Sequence, residues 1–267
     1  YTKVFGDTMI ELAESNRDIV AITAAMPDGT GLDAFGKKYP DRYIDVGICE
    51  QHAIGLANGL VSAGIKPVAA IYSTFLQRAY DQVFHDMCLQ KNGILLALDR
   101  AGIVGNDGPT HNGVFDIAYL RHLPEIVLMS PKDGAEFKAM LHMAVPLNTP
   151  AAIRYPRANI PEGSLNNDCK PIELGKGEIL KEGRDGAIIA YGVMVYPSLE
   201  CARMLMETGI DVTVVNARFS KPLDEELLQK FARSRQLIVT LEENVIAGGF
   251  GSAVLESLQQ SGTVVPV

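Results

Sequence analysis

Three short stretches gather side chains able to do chemistry, and each follows an apolar run: "GICEQHA" (47–53), "YSTFLQR" (72–78) and "DRAGIVGNDGPTHNG" (99–113). Glu50 opens the helical pattern "EQHAIGLANGLVSAG", whose Gly55, Ala57, Gly59 and Ala63 permit close packing. A first-turn carboxylate either offsets the helix dipole or, in an apolar setting, keeps a proton. Ile48, Cys49 and Ala53 supply part of such a setting. The neighbouring His52 reads as an ordinary packing or surface histidine. In the second stretch Phe75 by itself reads as a core aromatic. Tyr72 and Arg78 flank it, and a phenol with a guanidinium at a strand end suits an anionic ligand.

In the third stretch Arg100 leaves the strand directly, and glycines 102, 105, 108 and 113 surround Asp107 and His111. Glycine allows positive φ and close backbone approach, while Ile103 and Val104 argue against a merely solvated loop. Neither a GxxxxGK(S/T) phosphate loop nor a GxGxxG dinucleotide fingerprint occurs. "RYPRAN" (154–159) offers Arg154 and Arg157; either one of them faces a phosphate or carboxylate, or both pair with acids. The glycines of "LEENVIAGGFGS" (241–252) form an anion site or a packing turn, and packing is the expectation.

These loops need elements to hold them. Apolar runs at 18–25, 66–73, 92–99, 125–130 and 150–155 read as strands covered on both faces, alternating with helices at 4–15, 50–63, 75–90 and 133–144. "SPKDGAEF" is a capping signal for the last of these. The pattern dissolves between Pro156 and Gly186, then resumes with strands at 187–192, 211–217, 236–243 and 263–267 and helices at 196–208, 224–233 and 249–260. Strand alternating with helix predicts two α/β domains with mainly parallel, doubly wound sheets. In such sheets ligands sit at the carboxyl ends of strands, where all three stretches fall.

Composition narrows the partners. With 32 acidic against 24 basic residues the net charge is −8, which disfavours nucleic acid. Cys49, Cys88, Cys169 and Cys201 show neither a disulfide framework nor zinc-ligand spacing, in keeping with a reducing, cytoplasmic setting. No run of about 18 apolar residues or signal-peptide pattern points to a membrane.

Read in order, "YTKVFGD", "ITAAMPDGTGL", "YPDRYIDVGICEQHA", "AIYSTFLQRAYDQVFHD", "LDRAGIVGNDGPTHNGVFDIAYLR", "RYPR" and "KPLDEELL" resemble the 1-deoxy-D-xylulose-5-phosphate synthase family, thiamine-diphosphate enzymes of the transketolase superfamily. The resemblance implies a pyrimidine-binding domain over 1–160, a linker over 161–185 and a C-terminal domain over 186–267. It implies condensation of pyruvate with glyceraldehyde 3-phosphate, releasing CO2, for isoprenoid, thiamine and pyridoxal precursors. Glu50 matches the glutamate that bonds the aminopyrimidine ring nitrogen, and Phe75 the aromatic beside that ring. Tyr72, Arg100 and Arg157 match residues near the acceptor phosphate and the pyruvate-derived adduct. Arg78, Asp107 and His111 match groups that position intermediates or move protons, His111 being the proton mover.

The family's N-terminal domain, which binds the diphosphate and Mg2+ through a GDG motif, has no counterpart here: the sequence contains no GDG. The expectation is therefore half a cofactor site and no turnover by this chain alone. It is then a fragment cut before Tyr1 and after Val267, or one chain of a split enzyme, and a homodimer by resemblance. The alternatives are a partner subunit of a split transketolase or 2-oxoacid dehydrogenase, and a noncatalytic module of the same fold.

Overall fold

The computed structural model describes residues 1–166, 171–234 and 237–267. Cys169 and Gln236, the head of an expected strand, lie outside the described residues.

The strands are β1 (Ile19–Thr23), β2 (Tyr43–Asp45), β3 (Lys66–Tyr72), β4 (Leu95–Asp99), β5 (Val127–Met129), β6 (Ala151–Arg154), β7 (Glu178–Lys181), β8 (Gly186–Ala190), β9 (Val212–Asn216), β10 (Phe219–Lys221) and β11 (Ile238–Leu241). Two sheets form, in the orders β10-β5-β6-β4-β3-β1-β2 and β11-β8-β9-β7. Every pairing is parallel except β10 with β5 and β7 with β9. The central strands read as unbroken apolar runs because helices cover both faces. Phe5, Met9, Phe137 and Met140 pack on one face of the larger sheet, Ile54, Ala57, Val83 and Met87 on the other.

Three expectations need correction. Residues 75–90 are not one helix: a 3₁₀ segment Phe75–Ala79 leads into an α turn Tyr80–Gln82 and a π segment Val83–Cys88. Three residues per turn put Phe75 and Arg78 on one face, which serves the strand ends rather than the core. "TVVPV" forms no strand; among the described residues its main-chain hydrogen bond to β11 runs from Ile238 N to the Pro266 carbonyl, and Val264 is 95% exposed. Pro266 has no N–H to extend a ladder. Finally, β2, β7 and β10 were not anticipated. The first two are largely half-buried, and β10 has only three residues.

The β10 strand ties the halves together, since it follows β9 of the smaller sheet yet completes the larger one. Beside it lies a buried charge cluster. Glu136 is fully buried in the first turn of the helix Gly134–Ala144, whose end Asp133 caps by accepting from Glu136 N at 2.9 Å. The Glu136 carboxylate accepts from Arg218 Nε at 2.8 Å, Asn216 Nδ2 at 2.8 Å and Lys132 N at 2.7 Å, and Arg218 Nη2 also donates to Glu178 at 2.8 Å. Removing one partner of a buried pair strands the other charge. Glu136→Ala is therefore expected to destabilise the chain by about 3 kcal/mol, read as a lower urea midpoint, with Glu136→Gln costing less.

Candidate active site

β3 ends in Tyr72, which is buried, and the 3₁₀ turn after it brings Phe75 back into a parallel stack, with centroids 5.5 Å apart and planes 14° apart. On the same turn Arg78 places its guanidinium carbon 4.8 Å from the Phe75 centroid and donates from Nη1 to Glu50 Oε1 at 2.9 Å. Glu50 starts the helix Glu50–Ser62, and its side chain is 3% exposed against 50% for Arg78. No main-chain N–H of its own helix bonds it, so dipole compensation is its only helix-terminal service. The expected apolar wall is incomplete: Ala53 is buried, but Ile48 is 79% exposed and Cys49 is exposed as well.

The end of β4 supplies the opposite side. The Arg100 guanidinium carbon stands 4.0 Å over the Tyr72 ring, and burial pushes the Tyr72 phenol up while Arg100 opposes that shift. Arg100 reaches Asp107 Oδ2 from Nε at 3.4 Å, and Arg157 bonds Asp107 Oδ1, so one carboxylate is shared by two guanidinia. The His111 ring meets Phe75 edge-on at 5.3 Å and Tyr72 at 6.3 Å. Its Nδ1 contacts Thr110 Oγ1 at 3.1 Å, and Nε2 has no hydrogen bond within the described residues. Glu50, Arg78, Phe75, Tyr72, Arg100, Asp107 and Arg157 thus form one unbroken series of contacts, with His111 against its two rings.

The loop is closed at its base by reciprocal bonds, Gly102 N to Gly113 O at 2.8 Å and Gly113 N to Gly102 O at 2.9 Å. A Cβ on Gly113 would lie 2.3 Å from the Arg100 carbonyl oxygen and 2.4 Å from Ser73 Oγ, so no other residue fits there.

The residues alone left Arg154 and Arg157 undivided, while the resemblance pointed to Arg157; the structure separates the two. Arg154 is buried and bonds Asp116 at 2.9 Å and the Glu243 carbonyl at 3.0 Å, whereas Arg157 joins the cluster. In "LEENVIAGGFGS" the Glu242 carboxylate accepts from Phe250 N at 2.7 Å and Gly251 N at 2.9 Å. That helix end is filled by its own chain, as a packing turn requires. His52 is exposed, and His85 pairs with Asp81 at 2.9 Å on the surface.

Sequence reasoning missed Gly29 and Asp99. Gly29 accepts from Arg100 Nη1, and a Cβ there would fall 1.9 Å from the Tyr72 hydroxyl; its signal was the Pro-Asp-Gly turn after a strand. Asp99 was visible as an acid ending an otherwise apolar run. Among the described residues no group of three or more His, Cys, Asp or Glu could hold a metal ion, and no helix is long and apolar enough to cross a membrane.

Residues 1–162 match the family described as "Transketolase, pyrimidine binding domain", and residues 175–267 match "Transketolase, C-terminal domain". The chain is 58% identical over 98% of its length to "1-deoxy-D-xylulose-5-phosphate synthase 1" of Geobacter sulfurreducens, and 55% identical over its whole length to the Trichormus variabilis protein named 1-deoxy-D-xylulose-5-phosphate synthase. It spans only 41% and 42% of those relatives' own lengths. A solved structure titled "Split gene transketolase, inactive beta4 tetramer" superposes with a TM-score of 0.89 at 35% identity, covering 99% of this chain and 85% of that one. The chain belongs to the transketolase family and carries that family's pyrimidine-binding and C-terminal domains.

Proposed function

We propose that this chain forms the pyrimidine-binding and C-terminal part of a 1-deoxy-D-xylulose-5-phosphate synthase, a cytoplasmic homodimer that condenses pyruvate with glyceraldehyde 3-phosphate and releases CO2. What supports the reading most is the 58% identity to a protein of that name across 98% of the chain. The diphosphate and Mg2+ then belong to a further domain, in the same chain or another.

The family implies thiamine diphosphate, and the residues present fit its pyrimidine half. Glu50 is a buried carboxylate whose Oε1 takes one bond while Oε2 takes none from the described residues. Phe75 offers a half-buried aromatic surface on the next element. When bound, the cofactor supplies the electron sink for decarboxylating a 2-oxo acid. Glu50 holds a proton against the ring nitrogen, and Phe75 packs beside the ring. Arg100 and Arg157, already neutralised in part by Asp107, direct their remaining N–H groups to the acceptor phosphate. His111 Nε2, beside the Tyr72–Phe75 stack, passes protons to and from reacting oxygens. Tyr72 and Arg78 fix the stack and the carboxylate between which the substrates meet.

A second reading, a subunit of a split transketolase, is favoured by one observation: the solved split-gene chain is matched over nearly its full extent. Its lower identity, 35% against 58%, places it second. Donor choice separates the two, since the second reading requires a ketose phosphate where the first requires pyruvate.

Two variants test the assignment, each in this chain assembled with a diphosphate-binding half. Glu50→Ala is expected to lower pyruvate-dependent pentulose-phosphate formation about 10²- to 10⁴-fold; unchanged turnover would sink the reading. His111→Asn is expected to lower kcat about 10²-fold while leaving the KM for glyceraldehyde 3-phosphate nearly unchanged, because a proton carrier acts on the step rather than on phosphate binding.

A further inference from the structure

Arg100 is the most constrained of the three arginines in the cluster. It leaves β4 with φ of +60°, in the left-handed region, and its side chain is only 10% exposed. Two of its three nitrogens are committed: Nη1 donates to Asp99 Oδ1 at 2.9 Å and to the Gly29 carbonyl, and Nε faces Asp107 Oδ2 at 3.4 Å. Tyr72 covers one face of the guanidinium at 4.0 Å. Nη2 donates no hydrogen bond to the described residues and is the open corner of the fork.

Asp99 holds this arrangement. It is fully buried at the end of β4, directly across the ladder from Tyr72. Its Oδ1 accepts from Arg100 N at 2.7 Å as well as from Nη1, and its Oδ2 accepts from the Thr2 hydroxyl at 2.8 Å. Its main-chain oxygen accepts from Ser73 N at 2.8 Å, which fixes the backbone too. With both carboxylate oxygens tied, the side chain cannot turn without breaking a charge-assisted bond. Burial pushes the Asp99 carboxyl up, and the Arg100 guanidinium and the Thr2 hydroxyl oppose that shift.

We infer that Asp99, tethered by Thr2, is a positioning residue that aims Arg100 Nη2 at the phosphate of the acceptor and thereby sets the preference for phosphorylated over unphosphorylated aldehydes. This rests on the synthase reading above and names residues that reading does not use. A planar guanidinium pinned at two nitrogens presents the third at one fixed angle, and misplacing such a group by about 1 Å costs on the order of 10²-fold. An Asp99 that merely neutralised a buried arginine would affect stability and both substrates alike. An aiming Asp99 affects the phosphorylated acceptor selectively.

The experiment compares Asp99→Asn, Thr2→Val and Thr2→Ser with the unaltered chain, each assembled with the diphosphate-binding half, using glyceraldehyde 3-phosphate and then D-glyceraldehyde as acceptor. Asp99→Asn is expected to raise the KM for glyceraldehyde 3-phosphate about ten- to a hundredfold, with kcat and the pyruvate KM changed far less and no loss with D-glyceraldehyde. Thr2→Val should shift the same constant in the same direction by less, and Thr2→Ser should restore it. Equal losses with both acceptors, or an unchanged KM, overturn the inference. Should the unaltered assembly form no product from pyruvate and either acceptor, the synthase reading is what fails. Calorimetric titration with inorganic phosphate then decides on Asp99: weaker binding by Asp99→Asn supports its role, and equal binding overturns it.

Discussion

The strand ends depend on one buried ion pair, Arg154 with Asp116. Asp116 Oδ2 accepts from Arg154 Nε at 2.9 Å and from Ser73 Oγ at 3.0 Å, and Oδ1 accepts from Ile117 N at 2.9 Å. Arg154 Nη2 reaches the carbonyls of Gly113 and Glu243. The end of β3, the end of β6, the exit of the glycine loop and the segment after β11 therefore meet at this one ion pair. A buried pair seldom adds much net stability, because desolvation offsets its Coulomb attraction. What it supplies here is uniqueness: four segments satisfy it together in one arrangement, and any other leaves a charge unpaired in a dry interior.

The glycine loop inherits its geometry from that junction. Gly113 lies against Ser73 and the Arg100 carbonyl, and its bonds to Gly102 bring the loop's two ends together, so Asp107 and His111 are carried on a short closed turn. The smaller domain presses on the same base, for the Glu243 side chain occupies the space that a Cβ on Gly102 would take. Burial pushes the Glu243 carboxyl up, with Arg154 opposing. Electrostatics then follow from topology. A chain of net charge −8 gathers Arg78, Arg100 and Arg157 around two aromatic rings, and Asp107 relieves the repulsion between the latter two without consuming all their donors. Such a focus attracts anions locally even where the protein as a whole repels them.

The sequence revealed what depends on local pattern. β1, β3, β4 and β6 were legible because strands covered on both faces read as unbroken apolar runs, and Tyr72, Phe75, Arg78, Arg100, Asp107, His111 and Arg157 stand at or follow the carboxyl ends of three of those runs. What stayed hidden depends on residues far away along the chain. Whether Arg154 or Arg157 turns inward is decided by Asp116, 38 positions before Arg154. Over the five residues from Phe75 to Ala79, apolar periodicity does not separate three residues per turn from 3.6, so the 3₁₀ segment that aims Arg78 passed as ordinary helix. β10 escaped because three residues carry no period, and its partner β5 belongs to the other half of the chain.

The wall around Glu50 carries the same lesson into function. The helix Glu50–Ser62 buries Ala53, Ile54 and Ala57, and its other side stays open: Gln51, His52, Gly55 and Gly59 meet little or nothing, and a Cβ on either glycine would have no neighbour within 4 Å. A glycine inside a helix costs about 1 kcal/mol relative to alanine, and none of the described residues lies close enough to either position to offset it. Ile48, almost bare beside the buried carboxylate, adds unfavourable apolar exposure at the same place. Both penalties vanish if a second surface packs closely along this helix. The same surface would complete the apolar wall that Ala53 begins around the Glu50 carboxylate. Within this chain the arginine side is already assembled around Tyr72, whereas the helix that carries Glu50 keeps an open face beside the buried carboxylate.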